Sequence, residues 1–284
     1  MIKQRGILTV LMIGLFFSSY LYAAPKKDLW AYWQQQDPQS RKTINHTVWT
    51  QLLQKYDHHS KSGINLFAYG SVSQKDKNKL KDYINYLQQL PIRRYNAKQQ
   101  EAYWINLYNA ETVNLILQHY PVKSILNINI SPGLFSKGPW DAKVLKISGK
   151  AVSLNDIEHR ILRPIFHDNR IHYALNCASL GCPNLQRRAF TVASLNSMLN
   201  KGARSYINSY RGAHFTHGKL IVSKIYIWYQ ADFGGTDAGV IKHLEKYADP
   251  KLRKQLANVS HISDSEYNWN LNLYQPNIKH KATS

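Results

Sequence analysis

The run Arg170 to Leu185, RIHYALNCASLGCPNL, holds both cysteines of the chain, Cys177 and Cys182. Their type and spacing allow three chemistries. A disulfide between them would close a short loop through the turn at Gly181, fixing loop shape while adding little global stability. A thiolate at Cys177 would be a nucleophile, given a base or a positive charge to lower its pKa. A zinc-type site would draw on His159, His172, Cys177 and Cys182, with the cysteines at the wide end of the usual gap. The histidines lack the usual close pairing, so no metal ligand is assigned, and none is assigned to the adjacent His58 and His59 in their loop. No cofactor is expected.

A nucleophile needs partners. Ile171 to Leu175 has the form of a strand, and on a strand His172 and Cys177 point to opposite faces. His159 is therefore the preferred base, with His172 kept as the other candidate. Glu158 is a candidate to orient it. The plain alternative has Asp156, His159 and Arg163 pairing with one another at i,i+3 and i,i+4 on a helix surface. Asp232 either orients a histidine or caps the backbone of Gly234 and Gly235. Asn176 either donates to an oxyanion or closes an Asx-type turn. Asn106 and Asn109 share a helix flank with Ala110 and Val113, where an unpaired amide would cost about 1–3 kcal/mol. They either bond neighbouring backbone or contact a ligand. Arg163 joins them as a candidate binding residue.

The elements that must hold these groups follow from apolar spacing. Amphipathic helices are predicted over 41–55, over 74–90 with Ser73 as cap and Pro91 as stop, and over 96–119. A hairpin is predicted over 143–154, a short helix over 156–162 ended by Pro164, and further helices over 191–210 and 240–247. Residues 220–228 read as extended or mixed. The polar tail from about 258 is expected to be loosely held. The element order gives an α+β class: a helix-rich single domain with a small mixed or antiparallel sheet made of the hairpin, the Ile171 strand and the 220–225 segment.

Lys3 and Arg5 precede an apolar run from Gly6 to Leu21 and small residues at Ala23-Ala24, the pattern of a secretory signal peptide over 1–24. The expected organisation is that leader, a helical N-terminal part over 25–95, a core domain over 96–247 and a tail over 248–284. Export to the periplasm or beyond follows, with no membrane span left once the leader is removed. In such a compartment two cysteines in one loop favour the disulfide. The formal net charge of +20 would suggest nucleic acid in a cytosolic protein. In an exported one, anionic envelope components are the expected partners, if the basic surface has a dedicated partner at all. No zinc-finger spacing or RNA-binding aromatic signature supports a nucleic-acid module.

Four segments occur together and in order: EAYWINLYNAETV (101–113), SLNDIEHRILR (153–163), HYALNCASLGCP (172–183) and KIYIWYQADF (224–233). Together they resemble the bacterial family named domain of unknown function 547, over about Ile92 to Tyr247. The resemblance implies an exported globular α+β domain and brings no established reaction. Three functions stay open: an envelope binding or interaction domain with a disulfide-shaped loop; a cysteine-dependent hydrolase or acyl transferase using Cys177; and a metal-binding domain.

Overall fold

The computed structural model describes residues 26–133 and 136–275. The expected leader over 1–24 lies outside the described residues. Helices dominate the first half: α1 (Thr47–Tyr56), α2 (Gln74–Gln89) and α3 (Ala97–His119). The Ser73 hydroxyl caps α2 by accepting from the Asp76 amide, as its position before the apolar stripe predicts. Helix α3 begins at the Asn96 cap and is buried on every side, so it forms the axis of the molecule rather than a surface helix. Around it pack Trp33, Trp49 and Leu87, with Ile147 and Ile161 from later in the chain.

The strands are short. β1 (Asp57–His59) pairs antiparallel with β2 (Asn65–Phe67), and β3 (Leu145–Ile147) with β4 (Lys150–Val152). Helix α4 (Leu195–Ile207) leads to β5 (Ala213–Thr216) and β6 (Lys219–Ser223), an antiparallel pair. Then come α5 (Lys224–Trp228), α6 (Asp237–Tyr247), α7 (Pro250–Leu256) and β7 (Asp264–Glu266), which pairs parallel to β6. A second apolar cluster, with Tyr206, Tyr226, Phe233 and Leu244, lies between this sheet and α4 and α6. The class is helix-rich α+β, as the element order implies.

Four local expectations change. Ile171 is not on a strand: Asn169–Tyr173 is a 3-10 turn capped by Asp168, and no alternation of faces applies to it. The expected single sheet is instead two separate hairpins and one mixed three-stranded sheet. Residues 171–176 are all buried, and a continuous apolar run does not distinguish strand from turn. Pro164 does not end its helix. A π-type helix runs through it from Asp156 to Phe166. Proline removes a donor from the interior of a helix. The carbonyls left over, of His159 and Arg160, accept instead from the backbone amides of Asp28 and Trp30 at 3.1 and 3.0 Å. The tail also differs. Residues 264–274 are tied into the body, with Leu180 and Gly181 donating to the Asn270 and Asn268 carbonyls, and Asn272 donating to Ala178.

Candidate functional site

A cleft of about 410 Å3 opens between the two apolar clusters, and Glu158, His159, His172, Cys177 and Cys182 all line it. Elements far apart in sequence supply its walls. The Asp156–Phe166 helix brings Glu158 and His159, the 3-10 turn brings His172, and the loop after it brings the cysteines. Helix α5 brings Trp228, and the segment after β7 brings Tyr267 and Trp269.

The cysteine loop is held from behind by amides. The Asn109 side chain donates to the Ala174 carbonyl at 2.8 Å and accepts from the Asn176 backbone amide at 2.8 Å. Asn106 brackets Phe190 in the same way, at 2.7 and 2.9 Å. Asn176 accepts from the Ala178 amide at 2.9 Å, an Asx-type turn, and donates to the Pro183 carbonyl. These three amides spend their polar atoms on backbone and do not line the cleft. From the other side, Arg211 donates to the Leu180 and Cys182 carbonyls. At Gly181 a β-carbon would sit 2.8 Å from the Asn268 backbone nitrogen, so only glycine permits the close pass of the 264–274 segment.

The expected disulfide is not formed. The two sulfurs are 2.9 Å apart, whereas a bridge needs about 2.05 Å, and both cysteines are free thiols. The loop takes its shape from the amides, Arg211 and the 264–274 segment, with no covalent closure. Cys177 is half-buried on the cleft wall and Cys182 is buried. Ala178, the next residue after Cys177, has φ +59°, a strained value for a residue other than glycine. The Cys177 sulfur lies 3.3 Å from the Ser179 hydroxyl and 3.0 Å from the Tyr267 hydroxyl. Burial works against ionisation here, but hydrogen bonds from Cys182, Ser179, Tyr267 and the Ser179 amide outweigh it and bring the Cys177 pKa below the ordinary thiol value. Burial and the neighbouring sulfur push Cys182 the other way, so it keeps its proton.

The histidines form a different network. His172 sits between two carboxylates, with Nε2 2.8 Å from Asp232 Oδ2 and Nδ1 3.6 Å from Glu158 Oε1. Its ring stacks on Tyr229 at 4.1 Å. Asp232 also receives Arg163 Nε at 2.6 Å and Lys27 Nζ at 2.7 Å, so it orients a histidine and does not cap the glycines after it. Burial opposes the ionisation of Glu158, but the facing imidazoles of His159 and His172 and the Tyr229 hydroxyl overcome it and lower the pKa to about 2. Burial likewise opposes charge on Asp232, and His172, Arg163 and Lys27 hold it ionised. Arg163 Nη1 lies 3.0 Å from His159 Nδ1. A guanidinium only donates, so Nδ1 is the acceptor and the ring proton is on Nε2. Burial, with the Arg163 charge, lowers the His159 pKa and keeps the ring neutral. His159 therefore offers the cleft a donor, not a base.

Among the described residues no group of three or more His, Cys, Asp or Glu is placed to hold a metal ion. The four candidate ligands have other partners: His172 has its carboxylates, and the sulfurs have each other. Of the sequence candidates, Cys177, Glu158, His159 and His172 line the cleft, as do Tyr267 and Trp269, which the sequence reading does not single out. Two aromatic residues two positions apart, Tyr267 and Trp269, were the available signal.

Residues 92–207 match the family model described as Protein of unknown function, DUF547. That span includes α3, the β3–β4 hairpin, the Glu158–His159 helix, the cysteine loop and α4, and ends before Trp228, Asp232 and Tyr267. The resemblance over 224–233 thus falls outside the matched residues. No curated protein and no solved structure matches the chain.

Proposed function

We propose that the cleft is the active site of a thiol-dependent acyl transferase or hydrolase, with Cys177 as nucleophile. One observation carries this reading: a free, half-exposed thiol on a strained bend, surrounded by donors that favour its ionised form. The sulfur adds to the carbonyl carbon of an activated acyl group. His159 Nε2–H, on the wall of the same cleft, is a side-chain donor for the oxygen that becomes negative. His172 is not the base, since both its nitrogens face carboxylates. With Glu158, Asp232 and Arg163 it fixes the wall that carries His159. Cys182 remains a thiol beside the Cys177 sulfur, 2.9 Å away.

The pH dependence of alkylation tests the reading. Iodoacetamide labelling of Cys177, followed by mass analysis, should reach half its maximal rate below the ordinary thiol pKa of about 8.5. Labelling at or above that pH, and slower than free cysteine, sinks it.

An envelope binding domain is the second reading. A hollow beside α4 lined by Arg187, Arg188 and Lys201 favours it, as a place for an anionic partner. Under it, Cys177→Ala leaves ligand affinity intact. Export itself rests on residues 1–24, and N-terminal sequencing of the mature protein tests it: a start near Pro25 supports export and a start at Met1 overturns it.

A further inference from the structure

Six of the chain's seven tryptophans fall into two kinds, Trp30 being half-buried against the core. Trp33, Trp49 and Trp104 are core residues with at most 1% of their surface exposed. Trp140, Trp228 and Trp269 are half-buried and line the cleft, although they come from three separate segments. Their rings are contiguous: Trp269 lies 5.8 Å from Trp140 and 5.6 Å from Trp228, and Tyr267 lies 4.7 Å from Trp269. Contiguous apolar surface left open in a cleft marks a ligand site.

The other groups around the cleft say which ligand. A sugar would need several free hydrogen-bonding partners for its hydroxyls, and the wall leaves few beyond Lys137 and the His159 Nε2–H. Here Asp141 accepts from Asn155, the Ser136 hydroxyl donates to backbone carbonyls of its own loop, and Glu158 faces His172. The Tyr267 hydroxyl is spent on Cys177 and Ser179, each at 3.0 Å. Leu126 and Ile225 extend the apolar lining. Tyr267 also joins the indole surface to the sulfur, so a chain lying on the rings ends at Cys177.

We propose that the indole surface of Trp140, Trp228 and Trp269 is the subsite for an apolar acyl chain whose carbonyl carbon is presented to Cys177. The inference rests on the thiol reading above and names its substrate class: esters or thioesters of apolar acids. The Cys177 thiolate adds to the carbonyl carbon and a C–S bond forms. The bond to the leaving oxygen or sulfur breaks, and the leaving group departs with the electron pair and takes a proton from water. Water then adds to the thioester carbonyl, the C–S bond breaks, and the sulfur returns as thiolate while the acid is released.

A series of N-alkyl iodoacetamides (methyl, butyl, octyl) tests both layers, because displacement of iodide by Cys177 needs no turnover. On the full chain, the octyl reagent should label Cys177 at least tenfold faster than the methyl one and show saturation. With N-acetylcysteine the two should agree within twofold. In Trp269→Ala and Trp228→Ala the octyl-to-methyl ratio should fall below threefold. Fast labelling that ignores chain length overturns the acyl subsite and leaves the thiol reading standing. Methyl labelling no faster than N-acetylcysteine overturns the thiol reading, and the subsite is then judged in Cys177→Ser. There, saturable quenching of tryptophan fluorescence by decanoate upholds it. Quenching by chito-oligosaccharides with none by decanoate, or no quenching by either, overturns it.

Discussion

Two polar clusters flank the cysteine loop, and they are built on opposite plans. Behind the loop, Asn106, Asn109 and Asn176 are neutral, buried and bonded to backbone. Beside the cleft, Glu158, Arg163, His172 and Asp232 are ionisable and bonded to one another. An amide that brackets a main-chain segment fixes geometry at any pH. An ion-pair cluster fixes geometry only while its carboxylates are charged, and its net worth is reduced by the cost of desolvating them. The molecule thus assigns the position of its thiol to neutral bonds and the position of its histidines to charged ones.

The largest effect is expected where the neutral cluster is broken. Asn109→Ala orphans a buried carbonyl and a buried amide at once, a loss of roughly 3–5 kcal/mol by urea unfolding, equal at pH 7 and pH 4. A loss below about 1 kcal/mol would end the claim that amides hold the loop. Asp232→Ala should cost somewhat less at pH 7, about 2–4 kcal/mol, because Lys27 is partly in water. Its cost should shrink with acid. Asp232 and Glu158 have folded pKa values below their unfolded ones, so their contribution is present above about pH 4.5 and is lost as pH falls towards about 2. A cost that stays constant from pH 7 to pH 3 would place Asp232 with the neutral group.

A third test uses His243, whose Nε2 lies 2.7 Å from the Tyr173 hydroxyl and whose pKa burial lowers to about 4. The unfolded chain takes its proton near pH 6.5 and the folded one only near pH 4, so this group's share of stability falls as pH drops through that window. His46 behaves alike. His243→Gln should flatten the stability profile between pH 6.5 and 4 by about 1–3 kcal/mol, and an unchanged slope would refute the assignment. The smallest change is expected at Tyr267→Phe. Global stability should move by less than about 1 kcal/mol, while the alkylation midpoint of Cys177 rises by about one pH unit. An unmoved midpoint would remove Tyr267 from the thiol's environment.

Much of the helical frame was legible because its signals are local. Ser73 with Pro91 bounds α2, and Asn96 with the apolar run bounds α3. The candidate residues around Cys177 were legible as types, but not their pairings. His172 was read against a strand that is a 3-10 turn, because a buried stretch carries no periodicity. His159 was read as a base, and its Nδ1 faces Arg163, a contact set by the helix that continues past Pro164. The disulfide follows from spacing and compartment, but the sulfurs lie side by side at 2.9 Å without a bridge, and hydrogen bonds shape the loop. What the sequence concealed was long-range: the arm at 28–30 that completes the Pro164 helix, and the 264–274 segment that completes the cleft.

That last segment bears on the order of events during synthesis. Tyr267 and the Cys177 sulfur are separated by 90 positions in the chain. At about 5–20 residues per second, the ribosome would add the tyrosine roughly 5–20 s after the cysteine. Through that interval α3 and the loop can assemble, yet the sulfur lacks the hydroxyl that acidifies it and the cleft lacks Trp269. On the thiol reading, the nascent protein would carry an unactivated thiol, and reactivity would arrive late, as a property of the nearly finished chain.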